Sequence, residues 1–322
     1  MRYALNALLG VLLLAGAGRA QTGPTARTLP ASFEANQIFV HPVTAGGDTL
    51  RLFTDTGGSY LLYRSAVERL DLPVRDTTVR GRSTSVTVFP DLERAGSIPL
   101  ITGVDPFVRS KVGAYRKIHP RADGLLGNAW FAGHVWTIDY AAEEMIVHAP
   151  SASPEAGPAH TVEMGFPTDS AGHRLSNFPS IEATIDGTTY PFLLDTGATF
   201  LLSEEGREAL GRPGVRGGSY IVASVFRRWR REHPDWRVIE GGEMAGGGTA
   251  MIRVPELTIA GHTVGPVWFA RRPDANFHQR MARWMDRPVD GALGGSLFRY
   301  FELTLDYPRS RAHFRRIDQA VR

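Results

Sequence analysis

The 322-residue chain contains no cysteine. Disulfides and thiolate metal sites are therefore excluded, and the fold must rest on burial and hydrogen bonding. Lysine is nearly missing as well: Lys111 and Lys117 stand alone among 36 basic residues, the rest being Arg. Against 33 acidic residues the formal net charge is only +3, which gives no strongly basic surface for nucleic acid. The one local cluster, Arg227, Arg228, Arg230 and Arg231 around Trp229, lies beside Glu232 and Asp235 and reads as a solvated helix or loop. No stretch of eighteen uninterrupted apolar residues occurs, so no stable membrane insertion is expected. The His-Glu-x-x-His of a zinc peptidase, the Gly-x-Ser-x-Gly nucleophile elbow and a phosphate-binding glycine loop are all absent.

The amino terminus carries the pattern of an export signal. Arg2 precedes an apolar stretch from Leu5 to Ala15, and Gly18-Arg19-Ala20 supplies small residues for cleavage after Ala20. The expected destination is the periplasm or the extracellular space. About three hundred residues then remain, enough for two domains. A Pro-rich segment of small residues, 149–159, reads as a linker between a lobe of residues 21–148 and a lobe of residues 160–322.

The two halves repeat one another. Asp55-Thr56-Gly57 recurs as Asp195-Thr196-Gly197, each after an apolar run and each followed by a Leu-Leu pair, Leu61-Leu62 and Leu201-Leu202. Asp123-Gly124-Leu125-Leu126-Gly127 is echoed by Asp290-Gly291-Ala292-Leu293-Gly294. Thr137-Ile138-Asp139-Tyr140 is echoed by Thr304-Leu305-Asp306-Tyr307. The first two anchors are 68 residues apart in one half and 95 in the other, an excess of 27 residues assigned to Val215 to Arg237 and to Arg271 to Arg287. Internal duplication accounts for the whole set.

Local signals are mostly β. Ser85 to Phe89, Ile181 to Ile185 and Glu256 to Ile259 alternate or are β-branched, and Asp186-Gly187 and Gly46-Gly47-Asp48 are turn signals. Ser203 opens a helix that Gly211 closes, with Ser65 to Leu70 as its counterpart, and Asp274 to Met285 has a helical pattern. Asp139 and Asp306 are expected to end strands. His233 and His313 are isolated and read as surface or packing residues.

With these motifs the sequence resembles the aspartic peptidases: the two-lobed arrangement of pepsin, built from short lobes similar to retroviral-type protease subunits. The resemblance covers nearly all of the chain after residue 20. It implies an all-β, bilobal acid-protease fold with two pseudo-twofold-related, barrel-like lobes and short helices. It implies an exported bacterial aspartic endopeptidase, monomeric, with no metal or organic cofactor, acting on an extended polypeptide. A non-catalytic peptide-binding protein that kept the fold is the alternative.

The resemblance makes Asp55 and Asp195 the catalytic pair. Two close carboxylates cannot both ionise cheaply, so they share a proton and activate a water. Gly57 and Gly197 permit the backbone to approach. Thr56 and Thr196 are implied to hydrogen-bond across the interface. Ser59 and Thr199, four residues past each Asp, are expected to donate to the outer carboxylate oxygens. Gly246, Gly247 and Gly248 are candidates for a flap tip, with Thr84 to Pro90 as the first-half candidate. The Tyr-Gly-Thr-Gly flap of pepsin-like enzymes is missing, and Gly58 and Ala198 carry no hydroxyl. That lack of a donor predicts a raised upper pKa and an optimum from mildly acidic to neutral pH.

Overall fold

The computed structural model describes residues 26–79, 81–94, 97–152, 160–244 and 248–317. The expected export signal, residues 153–159 of the expected linker, and Gly246 and Gly247 lie outside the described residues.

Short alternating segments bounded by turn residues become strands. Asp186 and Gly187 both take positive φ, 47° and 71°, which closes Ser180–Ile185 onto Thr188–Leu194 as a tight hairpin. In the first half an eight-stranded sheet runs Ala31–Glu34, Gln37–Val40, Leu52–Asp55, Gly124–Gly127, Leu61–Tyr63, Phe107–Arg109, Arg82–Thr87, Val74–Val79. The nine-stranded sheet of the second half contains the same spatial order. From Ser180–Ile185 it proceeds through Thr188–Leu194, Gly291–Leu293, Tyr220–Val222, Val267–Arg272 and Thr249–Val254 to Val238–Glu243. In each lobe the strand ending at the repeated Asp runs parallel to the strand of the Asp-Gly anchor. The protein is thus all-β and two-lobed.

A third, six-stranded sheet joins the lobes, in the order Ala26–Thr28, Glu144–His148, Val135–Asp139, Phe301–Asp306, Arg311–Arg316, Thr161–Glu163. At its centre Thr137 pairs with its own repeat, Thr304, and their hydroxyls are 2.9 Å apart. A local twofold axis passes between them. Asp139 accepts the N–H groups of Ala141 and Ala142 at 2.9 and 3.0 Å, and Asp306 accepts Arg309 N–H at 3.0 Å, so both aspartates cap turns at strand ends. Trp130, Phe131 and Trp136 are fully buried nearby, the two indole rings 4.3 Å apart. Each such aromatic contributes about 1.5–3 kcal/mol of burial energy. Among the described residues no helix is long and apolar enough to cross a membrane.

The repeat is less regular than its sequence frame. Leu61 pairs with Leu125, and the residue that pairs with the equivalent Ala292 is Tyr220, not Leu201. Tyr63 N–H donates to Asp123 O at 2.8 Å, and Val222 N–H to Asp290 O at 2.8 Å, in the same register. Leu61 lies six residues after Asp55, whereas Tyr220 lies twenty-five after Asp195. Nineteen of the extra residues therefore form an excursion immediately after the second Asp-Thr-Gly, earlier than the sequence frame places it. In it Thr199–Leu201 pairs with Val215–Gly217 around the helix Glu204–Leu210. Local hairpin closure satisfies this backbone, which leaves the edge of Gly291–Leu293 to Tyr220–Val222. The helix that corresponds to Arg64–Arg69 is Ala223–Glu232, not the one capped by Ser203. Its Trp229 is buried and donates to Tyr190 Oη at 2.9 Å, so the arginine cluster lies on a half-buried helix. The Asp274 to Met285 segment forms a π-type turn, Asn276–Arg280, and a 3-10 turn, Met281–Arg283, rather than a regular helix. Its start is tied down by Ser224 N–H donating to Asp274 at 2.9 Å.

Candidate active site

Each Asp-Thr-Gly turn sits where its strand ends, and the two turns interlock. Thr56 N–H donates to Thr196 Oγ1 at 3.1 Å, and Thr196 N–H donates to Thr56 Oγ1 at 2.9 Å. Thr56 Oγ1 in turn donates to Leu194 O at 2.8 Å. Both threonines are fully buried. The cross-links thus run from backbone to side chain rather than hydroxyl to hydroxyl.

This clasp brings Asp55 and Asp195 within hydrogen-bonding reach of each other. Each glycine of one turn lies under the carboxylate of the other. A Cβ on Gly57 would stand 2.4 Å from Asp195 Cγ, and one on Gly197 would stand 2.2 Å from Asp55 Cγ. No side chain fits at either position. Gly58 is closed as well, since a Cβ there would lie 2.2 Å from Asp55 Oδ2, whereas the equivalent Ala198 carries its methyl.

The two carboxylates differ in their surroundings. Burial pushes Asp55 well above the usual carboxylate range, and the charge of Asp195 and the hydrogen bond between the two push it further. Only the Gly57 N–H opposes this. Burial also raises Asp195, to about 6, but Asp55, Gly197, Ala198 and Gly57 all donate to it and hold it down. The Gly197 N–H lies 3.0 Å from Asp195 Oδ1. Both carboxylates are thus pushed upward, and the pair holds one proton between them.

The hydroxyls expected to assist do not. Thr199 Oγ1 donates its single proton to Gly197 O at 2.9 Å and accepts from Gln37 Nε2 at 2.9 Å, so nothing remains for Asp195. Ser59 is exposed and makes no hydrogen bond to Asp55. The carboxylates are held by backbone N–H groups instead.

Several residues around the pair carry no sequence signature. Tyr220 accepts Thr199 N–H at 2.9 Å and donates back to Thr199 O. Arg272 stacks over the Tyr220 ring at 3.9 Å and reaches the fully buried Glu243 at 2.9 Å. Glu243 accepts Leu201 N–H at 3.1 Å. This chain of contacts braces the second-half turn. In the first half, the segment from Ser110 to Ala122 folds over the sheet. His119 stacks on Phe53 at 4.3 Å and burial drives its pKa down to about 3, so it is neutral. Burial raises the phenol of Tyr115, and the neighbouring carboxylate pair Asp55 and Asp195 raises it further, although 53% of the residue is exposed. Tyr63 lies in the same field, its hydroxyl buried and unpaired. Only the repeat equivalence of Tyr220 with Leu61, visible once the excursion is recognised, would have pointed to one of these residues.

Each lobe also carries a hairpin. Val238–Glu243 and Thr249–Val254 form the one that holds the glycine candidates. Gly248, at its end, takes φ +95°. Its first strand is fastened to the excursion at the turn end, through Met244 N–H to Leu201 O at 2.6 Å. The first-half hairpin is Val74–Val79 with Arg82–Thr87, so the expected Thr84 to Pro90 segment covers only part of its second strand.

No protein-family model matches the sequence, and no curated protein does. Among solved structures the chain is similar to an aspartic proteinase from Irpex lacteus, 12% identical, over 91% of this chain and 98% of that one, with a TM-score of 0.47. It is also similar to conglutin gamma, a basic 7S globulin from lupine seeds, 10% identical, over 92% of this chain and 96% of that one, with a TM-score of 0.44.

Proposed function

We propose that the protein is an aspartic endopeptidase that hydrolyses peptide bonds with Asp55 and Asp195. The observation that supports this reading is the meeting of two buried carboxylates from opposite halves, both pushed above the ordinary carboxylate range. A water held between them is the nucleophile. Asp195 takes a proton from it as its oxygen attacks the carbonyl carbon, and Asp55 gives its proton to the carbonyl oxygen. The tetrahedral diol collapses when Asp195 returns its proton to the leaving nitrogen and Asp55 recovers one from a hydroxyl. No covalent enzyme adduct forms. The substrate lies as an extended strand beneath the hairpins, with Tyr115 exposed beside the carboxylates. One chain supplies both carboxylates, so a single copy suffices.

Activity requires the singly ionised pair. It rises with pH as the pair loses its first proton, at a pKa that burial raises above the ordinary carboxylate value, and falls again when the pair loses its second. The test is cleavage of a denatured protein between pH 3 and 9 by the parent, Asp55→Asn and Asp195→Asn. Turnover by the parent from mildly acidic to neutral pH, lost in both variants, supports the reading. Equal cleavage by parent and variants would refute it. So would a folded parent that binds peptide and never cuts it, which identifies a binding protein.

A further inference from the structure

Away from the carboxylates, a second pocket of ≈ 250 Å³ opens between the excursion and the rest of the second lobe. Three guanidinium groups, those of Arg216, Arg253 and Arg299, line it, and no Asp or Glu does. All three arginines are partly buried. Elsewhere in the molecule arginines meet carboxylates, as Arg51 meets Glu34 and Arg272 meets Glu243. Among the described residues none of these three does.

The charges stand in each other's way. Burial lowers the pKa of Arg216, and the positive charge of Arg299 lowers it further. Arg216 spends one terminal nitrogen on the carbonyls of Leu210 and Gly211, at the end of the helix Glu204–Leu210. Arg299 donates to Tyr300 Oη at 2.9 Å, while its Nε is buried without a partner. Partly buried like charges with an unspent donor are costly unless an anion joins them. Asn36 of the first lobe and Ser296 add polar lining, and Phe200, Leu210 and Trp268 supply an apolar wall.

We infer that this pocket binds a small organic oxyanion. A carboxylate or phosphate head is held by the three guanidinium groups, and a short apolar tail lies on Phe200, Leu210 and Trp268. Planar guanidinium forks match such heads in a bidentate way that a point charge does not. Ser296 also lines the pocket. Its hydroxyl lies 2.7 Å from Ser219 Oγ, which accepts Gly294 N–H at 3.1 Å. Gly294 packs beneath the Asp195 turn, so the ligand touches the support of that turn and not the carboxylates. The inference does not depend on hydrolytic activity.

Calorimetric titration of the full chain tests it, in a buffer of low ionic strength free of carboxylate and phosphate. Hexanoate, butyl phosphate and inorganic phosphate are the probes. At least one tailed probe is expected to saturate in the millimolar range or tighter, and the tighter of the two identifies the head. Arg253→Gln and Arg299→Gln are each expected to weaken it about tenfold, with Arg253→Lys in between. Arg216 is left intact because it caps a helix. No saturable binding of either tailed probe, equal affinity in parent and both glutamine variants, or inorganic phosphate binding as tightly as the tailed probes would overturn the proposal.

Discussion

The first lobe reaches from its Asp-Thr-Gly turn straight into the sheet, while the second takes nineteen more residues to do so. The detour alters the chemistry beside the turn. In the first half Gly58 lies against Asp55, and only the Gly57 N–H steadies that carboxylate's charge. In the second half Thr199 is gripped by Tyr220, and the Gly197, Ala198 and Gly57 N–H groups converge on Asp195. Near-identical motifs therefore hold their aspartates in unequal hydrogen-bond surroundings. A repeated sequence fixes where two groups meet, and the hydrogen bonds around each can still differ.

The comparison breaks first on the carboxylates themselves. Asp55→Asn and Asp195→Asn are each expected to lower kcat/KM by about a thousandfold or more, measured on a fluorogenic peptide. Next in size is the contrast between Gly58→Ala and Ala198→Gly. The first drives a methyl into Asp55 and is expected to cost about a hundredfold in kcat. The second adds nothing and should leave kcat within a few fold, so equal effects would show that the two turns are equivalent after all.

The brace of the second turn has no equivalent in the first. Glu243→Ala leaves Arg272 without its carboxylate in a buried site, and urea denaturation should register a loss of about 3–5 kcal/mol. The clasp, by contrast, is shared. Thr56→Val and Thr196→Val each orphan a buried N–H of the opposite turn, for about 1–3 kcal/mol apiece.

Comparable in size to the clasp is the effect on stability against pH. Asp195 titrates near 6 when folded against an ordinary 3.8, so the folded protein binds the proton more tightly than the unfolded chain. That contribution is fully present below about pH 3.8 and is lost as pH rises through 6. Thermal melts of Asp55→Asn should show a shallower decline over this window and a higher Tm at neutral pH than the parent.

Much of this was legible in the sequence. Two Asp-Thr-Gly frames, two Asp-Gly anchors and two Thr-x-Asp-Tyr segments mark the strands that meet at the centre, because tight turns and close approach restrict residue type severely. The excursion was not legible. A Leu-Leu pair at the right distance from Asp195 imitates the pair after Asp55, and apolar pairs are too common to fix a register. Thr199 misled for a related reason: a hydroxyl's single proton can go to any nearby acceptor, and Gly197 O was nearer in geometry than in spacing. Tyr115, Tyr220 and the Glu243–Arg272 pair reach the site by folding from distant segments, which no local pattern records.

The pairing of Thr137 with Thr304 across the shared sheet has one more effect. Side chains alternate faces along a strand, so those strands cannot slide by one residue without exposing their buried side, and the smallest tolerated slip is two residues, about 7 Å. A slip that large carries the two aspartates out of reach of each other. Assembly of the halves is therefore quantised: under the proposed function, a molecule joined in the wrong register lacks the carboxylate pair altogether, and heterogeneous refolding would lower the number of working molecules without changing the rate of any one of them.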